Sequence, residues 1–455
     1  MRRVFLVGGA GFIGRRVVAA LAEAGAEATA PSRDEFDIAQ GAPEALAEKL
    51  AGVEVVVNCA GLGRDGRVDN LRAAHVDGPT RLAAACRIAG VRRLVHVSAL
   101  GAAPEDPSRF LASKGEGETA LRAVEGLEVC VVRPSLALGA GGAVGDFFAA
   151  LAALPLPPRL GPGSWRVQPL HVDELAALIA RLALAPEVPP SVEAVGSEAM
   201  TTDDLERDLR AWLGLGPASF LPLPRFALAA LAWANEIVEV GPGDRELVAA
   251  LERGNVGDPA GAAAVLGRPP RSLGASLARA PATIADLWRA KLYFLQPLLR
   301  VTLAVLWLGT GFVSLGLFPP DEFYVMLGEL GFTGPMAEVA LFGAALVNLA
   351  LGGLLLVNWK PVRVAQAMFV LLMLFSGAAL MLPHEYWLTP FAPILKNAPI
   401  AVALLTLIGM ERPSRRSARQ PFAIPTRAEK PSAPTNALQG SQRPGPAAMN
   451  GHARS

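Results

Sequence analysis

Val4-Phe5-Leu6-Val7-Gly8-Gly9-Ala10-Gly11-Phe12-Ile13-Gly14 is the stretch that decides the fold. A short apolar run passes directly into three glycines at GxxGxxG spacing and then into an amphipathic pattern over residues 15–24. The order strand, tight turn, helix puts glycine where the chain turns, where main chain must approach an anion, and where helix packs on strand. The helix N-terminus then offers its amides to that anion. A bare glycine triplet says little, but between a strand and a helix it predicts a loop that wraps a pyrophosphate through Gly8, Gly11, Phe12, Ile13 and Gly14. Glycines interrupt the apolar run that follows Met1-Arg2-Arg3 too soon for a secretory signal.

Outward from this unit, β-branched runs at 53–57, 93–97 and 127–132 alternate with alanine-rich amphipathic stretches. Alternation of this kind predicts an α/β, Rossmann-type doubly wound parallel sheet over residues 1–200. Residues 201–284 are expected to form a small helical substrate-side lobe, with Thr201, Thr202 or Asp203 as the cap before Leu205. Cys59, Cys86 and Cys130 lack metal-ligand spacing and read as reduced core thiols, so no metal is expected.

The composition, 52% hydrophobic and 18% charged, is that of a chain with lipid-facing surface. Runs at 301–318, 339–357 and 364–382 hold no Asp, Glu, Lys or Arg and approach the ~20 residues needed to cross a bilayer. A fourth run, 398–410, reaches that length only if it begins near Leu388 and carries Lys396. Residues 285–411 are therefore expected to be an all-α four-helix transmembrane domain. Arg289, Lys291 and Arg300 precede the first span, Lys360 and Arg363 separate the second and third, and Arg412, Arg415, Arg416 and Arg419 follow the fourth. The positive-inside tendency then predicts an integral protein of a bacterial-type inner membrane, with the Rossmann domain and both termini cytoplasmic. The tail, 412–455, rich in Pro, Ser, Ala and Arg without apolar periodicity, is expected to be disordered. A net charge of +1 and the lack of a basic stripe with interleaved aromatics exclude nucleic acid as a partner.

The tip of the second strand, expected near residues 27–30, chooses between nicotinamide cofactors. It reads Pro31-Ser32-Arg33, and a hydroxyl beside a guanidinium suits a 2′-phosphate, which favours NADP(H). Asp34 lies near the spacing of an acid that would select NAD, and it keeps NAD(H) open.

Several further segments carry a resemblance. They are Asp37-Ile38, Asn58-Cys59-Ala60-Gly61, His75-Val76-Asp77-Gly78, the run from Gly90 to Ser98, Arg133-Pro134-Ser135, and the run from Gln168 to Asp173. With the glycine loop they make residues 1 to about 275 resemble extended or atypical short-chain dehydrogenases/reductases of the NAD-dependent epimerase/dehydratase type, on the branch holding the dehydrogenase-like accessory subunit of respiratory complex I. The resemblance implies that Asp37 and Ile38 lie at the adenine and that Ala60 and Gly61, after a fourth strand, lie at the nicotinamide-side ribose. It also places Ser98, Lys114 and Pro134 against the cofactor.

Family members that transfer hydride use a Ser or Thr and a Tyr-x-x-x-Lys pair. The resemblance maps the hydroxyl to Ser98 and the lysine to Lys114 as catalytic candidates, but the tyrosine position is Phe110. A phenyl ring exchanges no proton. The three tyrosines, Tyr293, Tyr324 and Tyr386, all fall in or beside the apolar half, which leaves Ser113 and His171 as further candidates; His171, opening a helix, reads first as structural.

Residues 290–411 resemble the DoxX-like family of four-helix membrane modules through Leu298-Leu299-Arg300, the run from Trp307 to Gly311, and Lys396-Asn397-Ala398-Pro399. This resemblance implies a quinone or lipid partner. Arg300 reads as snorkelling to the interface, Asn348 and Gln366 as hydrogen-bonding partners between helices, and Trp288, Tyr293 and Trp387 as interface anchors. Two readings follow from the whole sequence. One is an NADP(H)-binding redox sensor or accessory subunit with a respiratory or other membrane protein partner. The other is an NAD(P)H-dependent oxidoreductase acting on a quinone, isoprenoid or other lipid.

Overall fold

The computed structural model describes residues 2–65, 70–238, 242–243, 245–317, 320–383 and 395–411. Residues 412–455, Tyr386, Trp387 and the start of the fourth apolar run near Leu388 lie outside the described residues.

Strands β1 (Arg3–Val7), β2 (Glu27–Thr29), β3 (Val55–Asn58), β4 (Arg93–Val97), β5 (Glu128–Pro134) and β6 (Ser191–Ala194) form one parallel sheet in the order β6-β5-β4-β3-β1-β2. Among the described residues no strand forms between Thr29 and Val55, so Asn58 ends the third strand and not a fourth. Because β2 lies on one side of β1 and β3 on the other, the chain reverses its winding there and opens a crevice at the strands' carboxyl ends.

Period-2 alternation builds the two layers. Val4 and Leu6 face Val17 and Leu21 of α1 (Gly14–Glu23), whereas Phe5 and Val7 face the other way, towards Leu46 of α2 (Pro43–Lys49) and Leu82 of α3 (Gly78–Ile88). Each such leucine or valine, fully buried, contributes about 1.5–3 kcal/mol relative to exposure. Cys86 and Cys130 are buried in these cores as free thiols.

Helix α4 (Arg109–Arg122) carries Gly115 and Gly117 in its interior, where glycine costs ~1 kcal/mol against alanine. The reason is proximity: a Cβ on residue 117 would lie 1.9 Å from the carbonyl oxygen of His75. The close approach buries Glu118 behind the sheet, where it binds Arg133 in a two-pronged contact, reaches Arg122 at 3.2 Å, and accepts the Ser98 hydroxyl at 2.6 Å.

Later in the chain come α5 (Ala143–Ala153), α6 (Val172–Leu184), which packs on the sheet face beside α1, and α7 (Thr202–Trp212). Thr201 caps α7 through a reciprocal box with Asp204. Then follow α8 (Arg225–Val238), α9 (Arg245–Arg253), α10 (Ala260–Leu266), α11 (Leu273–Arg279) and α12 (Ile284–Leu292), several of them around a separate apolar cluster.

The apolar half contains α13 (Leu295–Phe312), α14 (Pro320–Glu329), α15 (Pro335–Leu356), α16 (Pro361–Ala379) and α17 (Asn397–Met410). Among the described residues three helices are long and apolar enough to cross a membrane, while α17 has 14 residues. Helix α14 occupies the segment between the first and second of the long apolar helices. Helices α13 and α15 meet through small residues, since a Cβ on Gly311 or Gly352 would lie 3.0 Å from the carbonyl oxygen of Ala345 or Ala304.

The polar residues of this half depart from expectation. Arg300 does not snorkel: it is buried and donates to Asn358 Oδ1 at 2.8 Å, with Glu411 at 3.7 Å. Asn348 is buried and Gln366 exposed, and the side-chain bond between helices runs instead from Asn397 to Ser376 at 2.8 Å.

Removing Glu118 leaves Arg133 without its carboxylate partner and Ser98 without its acceptor. Glu118→Ala is therefore expected to cost about 3–5 kcal/mol, read as a clearly lower thermal midpoint for the full chain in detergent. An unchanged midpoint would show that the cluster does not hold α4 to the sheet.

Candidate functional site

The crevice between β1 and β3 is built from the glycine loop upward. Gly8 takes φ +81°, which L side chains resist, and turns the chain out of β1. Gly11 N–H then donates to the Gly8 carbonyl at 3.0 Å. A Cβ on Gly14 would lie 2.2 Å from that same oxygen, so only glycine lets α1 begin against the strand. No side chain caps α1, and although the Arg15 and Arg16 amides donate to the Gly11 and Ile13 carbonyls, the amides ahead of them, at Phe12, Ile13 and Gly14, keep their capacity for an anion. From the opposite lip, Ala60 N would stand 2.8 Å from a Cβ on Gly8, and Gly61 follows it. This bare main-chain cradle fits a dinucleotide pyrophosphate.

At the β2 tip, Ser32 donates its amide and hydroxyl to Glu35 at 2.8 Å, and Arg33 Nε meets Asp37 Oδ2 at 3.3 Å while staying half exposed. The backbone hydrogen bond from Ser32 holds the Glu35 carboxyl below its ordinary range. Asp37 also accepts from Ala39 N at 2.9 Å, and Ile38 is buried beneath Gly78.

Under Gly61 lies a buried polar cluster that joins the candidates Lys114 and Ser113 to Asn58, His75 and His96, which sequence reading treated only as parts of matching segments. Lys114 Nζ donates to the Val97 carbonyl at 3.0 Å and stands 3.3 Å from the place a Cβ on Gly61 would occupy. Burial lowers its pKa to about 8. His75 Nε2 accepts from Leu62 N at 3.1 Å, and its Nδ1 lies 2.8 Å from Ser113 Oγ. Burial and the nearby Lys114 push His75 down to about 2, so the ring is neutral and those partners assign the proton to Nδ1. Ser113 passes its own hydroxyl proton to the Phe110 carbonyl at 2.9 Å. His96, lowered to about 3 by burial, pairs with Asn58 Nδ2 at 3.1 Å, and Asn58 Oδ1 accepts from Ala60 N at 3.0 Å to set the lip of the crevice. The signal for this cluster was three polar side chains, Asn58, His75 and His96, in stretches otherwise reading as core.

The catalytic candidates fall into two groups. Phe110 stands edge-on to His75, with centroids 5.5 Å apart, and Lys114 sits beside it on α4. Ser98 is buried with its hydroxyl on Glu118. Pro134 ends β5 beside that strand's partners. His171 caps α6 by accepting from Asp173 N at 3.3 Å, a structural task.

The loop 139–142 closes over the glycine loop. Arg15 Nη2 donates to Ala140 O at 3.2 Å, and a Cβ on Gly142 would touch the Phe12 ring at 2.6 Å.

Residues 4–195 match the model of the NAD dependent epimerase/dehydratase family, and residues 304–405 that of the DoxX-like family. A ceramide reductase of Caulobacter vibrioides is 31% identical over 197 residues, covering 40% of this chain and 61% of that protein. The mitochondrial NADH dehydrogenase (ubiquinone) 1 alpha subcomplex subunit 9 of Dictyostelium discoideum is 29% identical over 220 residues, covering 43% of this chain and 60% of that protein. The chain thus spans about three fifths of the length of these relatives. The crystal structure of human epimerase family protein SDR39U1 with NADPH is 23% identical, with a TM-score of 0.49, over 61% of this chain and 98% of that one. The amino-terminal half of this chain is a Rossmann domain of the NAD dependent epimerase/dehydratase family, joined to a DoxX-like domain with helices long enough to span a membrane.

Proposed function

We propose that this protein is a membrane-anchored NADP(H)-binding accessory or redox-sensing subunit whose cofactor is held without proton-coupled turnover. One observation carries the reading. At the position of the family's acid/base stands Phe110, and the neighbouring proton chain, His75 to Ser113, closes on Phe110's own carbonyl. A relay that ends on a backbone acceptor orients its members and delivers no proton to a substrate. Ser98, with its hydroxyl on Glu118, is likewise turned away from that task.

In this reading Gly8, Gly11 and Gly14 admit the pyrophosphate, with Phe12 and Ile13 completing the turn. Asp37 and Ile38 border the adenine, Ala60, Gly61 and Pro134 border the nicotinamide side, and Lys114 holds ribose hydroxyls. Ser32 and Arg33 would exchange Glu35 and Asp37 for a 2′-phosphate, since a dianion outcompetes a single carboxylate for the guanidinium fork. The loop charges support a cytoplasmic position for this domain and both termini in a bacterial-type cell. The subunits of NADH dehydrogenase among the relatives support a respiratory protein as the membrane partner.

A second reading, reduction of a quinone, isoprenoid or other lipid, is favoured by two observations: the ceramide reductase relative, and the buried Lys114, whose pKa lies near working pH. A bound reduced nicotinamide supplies a hydride, and the accompanying proton would have to come from Lys114 or water.

Purified full-length protein in detergent is expected to bind NADPH, followed by nucleotide fluorescence, and Gly14→Val to abolish binding. Arg33→Ala should weaken NADPH by about tenfold, the worth of one charge-assisted hydrogen bond, and leave NADH unchanged; equal losses for both nucleotides would remove the NADP assignment. Lys114 is charged below about pH 8 and neutral above it, so NADPH affinity should decline as pH rises through about 8 in wild type and stay flat in Lys114→Met. Neither wild type nor Phe110→Tyr should oxidise NADPH when offered a quinone analogue or a long-chain ketone. Wild-type turnover that Lys114→Met abolishes would replace the first reading with the second.

A further inference from the structure

Helix α8 is apolar on two opposite faces. Leu228 and Ala232 are buried, with Leu228 in the lobe cluster that also contains Leu205, Leu251 and Phe294. At 100° per residue, Phe226, Ala230 and Trp233 fall on the other side of the helix. All three are exposed, Phe226 to 77% and Trp233 to 56%. A helix hydrophobic all round belongs inside a core or against lipid, and this one has core on one side only.

The apolar medium for the other side is identified by what stands next to it. Phe294, in the same cluster as Leu228, is the residue from which α13 starts. Phe147 contacts the rings of both Tyr293 and Phe294, with centroids 6.2 Å apart in each case, and closes on Gly243 a few residues beyond α8. Helix α8 therefore contributes to the same apolar cluster as the residue at which the chain turns into its first membrane-crossing helix. Helix α12, which leads into that span, presents Ile284 and Trp288 on one exposed stripe that runs on to Leu295 and Leu298 of α13. Tryptophan is the side chain suited to the headgroup level of a bilayer, with an apolar body and one donor.

We propose that α8 lies in the plane of the membrane surface, with Phe226, Ala230 and Trp233 set into the boundary between lipid headgroups and acyl chains, so that the lobe rests on the bilayer. The buried stripe of the same helix holds the lobe, and the exposed stripe holds the lipid. The seating does not depend on whether the bound cofactor turns over.

The test uses the full chain in nanodiscs of phosphatidylcholine and phosphatidylglycerol, with a nitroxide on Phe226→Cys, on Trp233→Cys, or on Glu44→Cys as an exposed control in the nucleotide domain. Labelled wild type gives the background from Cys59, Cys86 and Cys130, and retained NADPH binding reports an intact fold if the nucleotide reading also holds. The expected result is a severalfold higher ratio of oxygen to water-soluble nickel-complex accessibility at 226 and 233 than at 44. A ratio equal to that at 44 would place α8 in water, and exclusion of both reagents would place it against protein, as in a second copy or a partner subunit. Either outcome overturns the proposal.

Discussion

A side chain cannot be accommodated at position 14. A Cβ there would sit inside the contact distance of the Gly8 carbonyl and 2.9 Å from Gly9 Cα, so α1 can start against β1 only as glycine. That single approach fixes the direction of α1, which then buries Val17 and Leu21 on the same side of the sheet as Leu175, Leu178 and Ile179 of α6. It also leaves the helix's leading amides facing the crevice with no side-chain cap. Packing and anion affinity come from one geometric fact, which is why the loop cannot serve the fold without also making the site.

The opposite wall of the crevice works by different physics. His75 and His96 are buried and neutral, and the charge that keeps them so is partly that of Lys114. Desolvation charges a penalty to every ionised group in such a place, and the lysine, with the highest intrinsic pKa, is the one that retains its proton. Gly115 and Gly117 make this possible by letting α4 approach closely enough to bury the lysine. The wall therefore holds one ammonium among neutral donors and acceptors, most of them bonded to one another, while His96 Nε2 is buried without a hydrogen-bond partner.

Legibility followed the range of the interactions. The glycine loop and the strands at 93–97 and 127–132 are local patterns that the structure forms where the sequence put them, and of the three residues offered as the cap before Leu205 the structure uses Thr201. The NAD dependent epimerase/dehydratase resemblance and the DoxX-like one rest on such motifs, and both families match. What escaped were contacts between distant segments. Nothing local marks Ser98 as the partner of Glu118, or Arg300 as the partner of Asn358, fifty-eight residues away in sequence. Arg300 looked like a residue at a helix end with water above it; its environment is set by a turn between two later helices.

The nucleotide crevice and the membrane span are joined by packed side chains as well as by chain. Phe12 of the glycine loop lies under Gly139 and Gly142, and the Gly141 amide donates to Asp146 at 3.1 Å in the first turn of α5. The same helix sets Ala149 in one cluster with Ala290 of α12, and its Phe147 holds the two aromatic residues from which α13 begins. Contact of this kind transmits nothing unless some link has two arrangements. The loop 139–142 is the link able to have them, because Gly139 and Gly141 both take positive φ and are free of the steric limits that would lock other residues. That loop covers Phe12 of the glycine loop. Any displacement of the cover reaches α5 directly, and α5 is already in contact with the helix that leads into the bilayer.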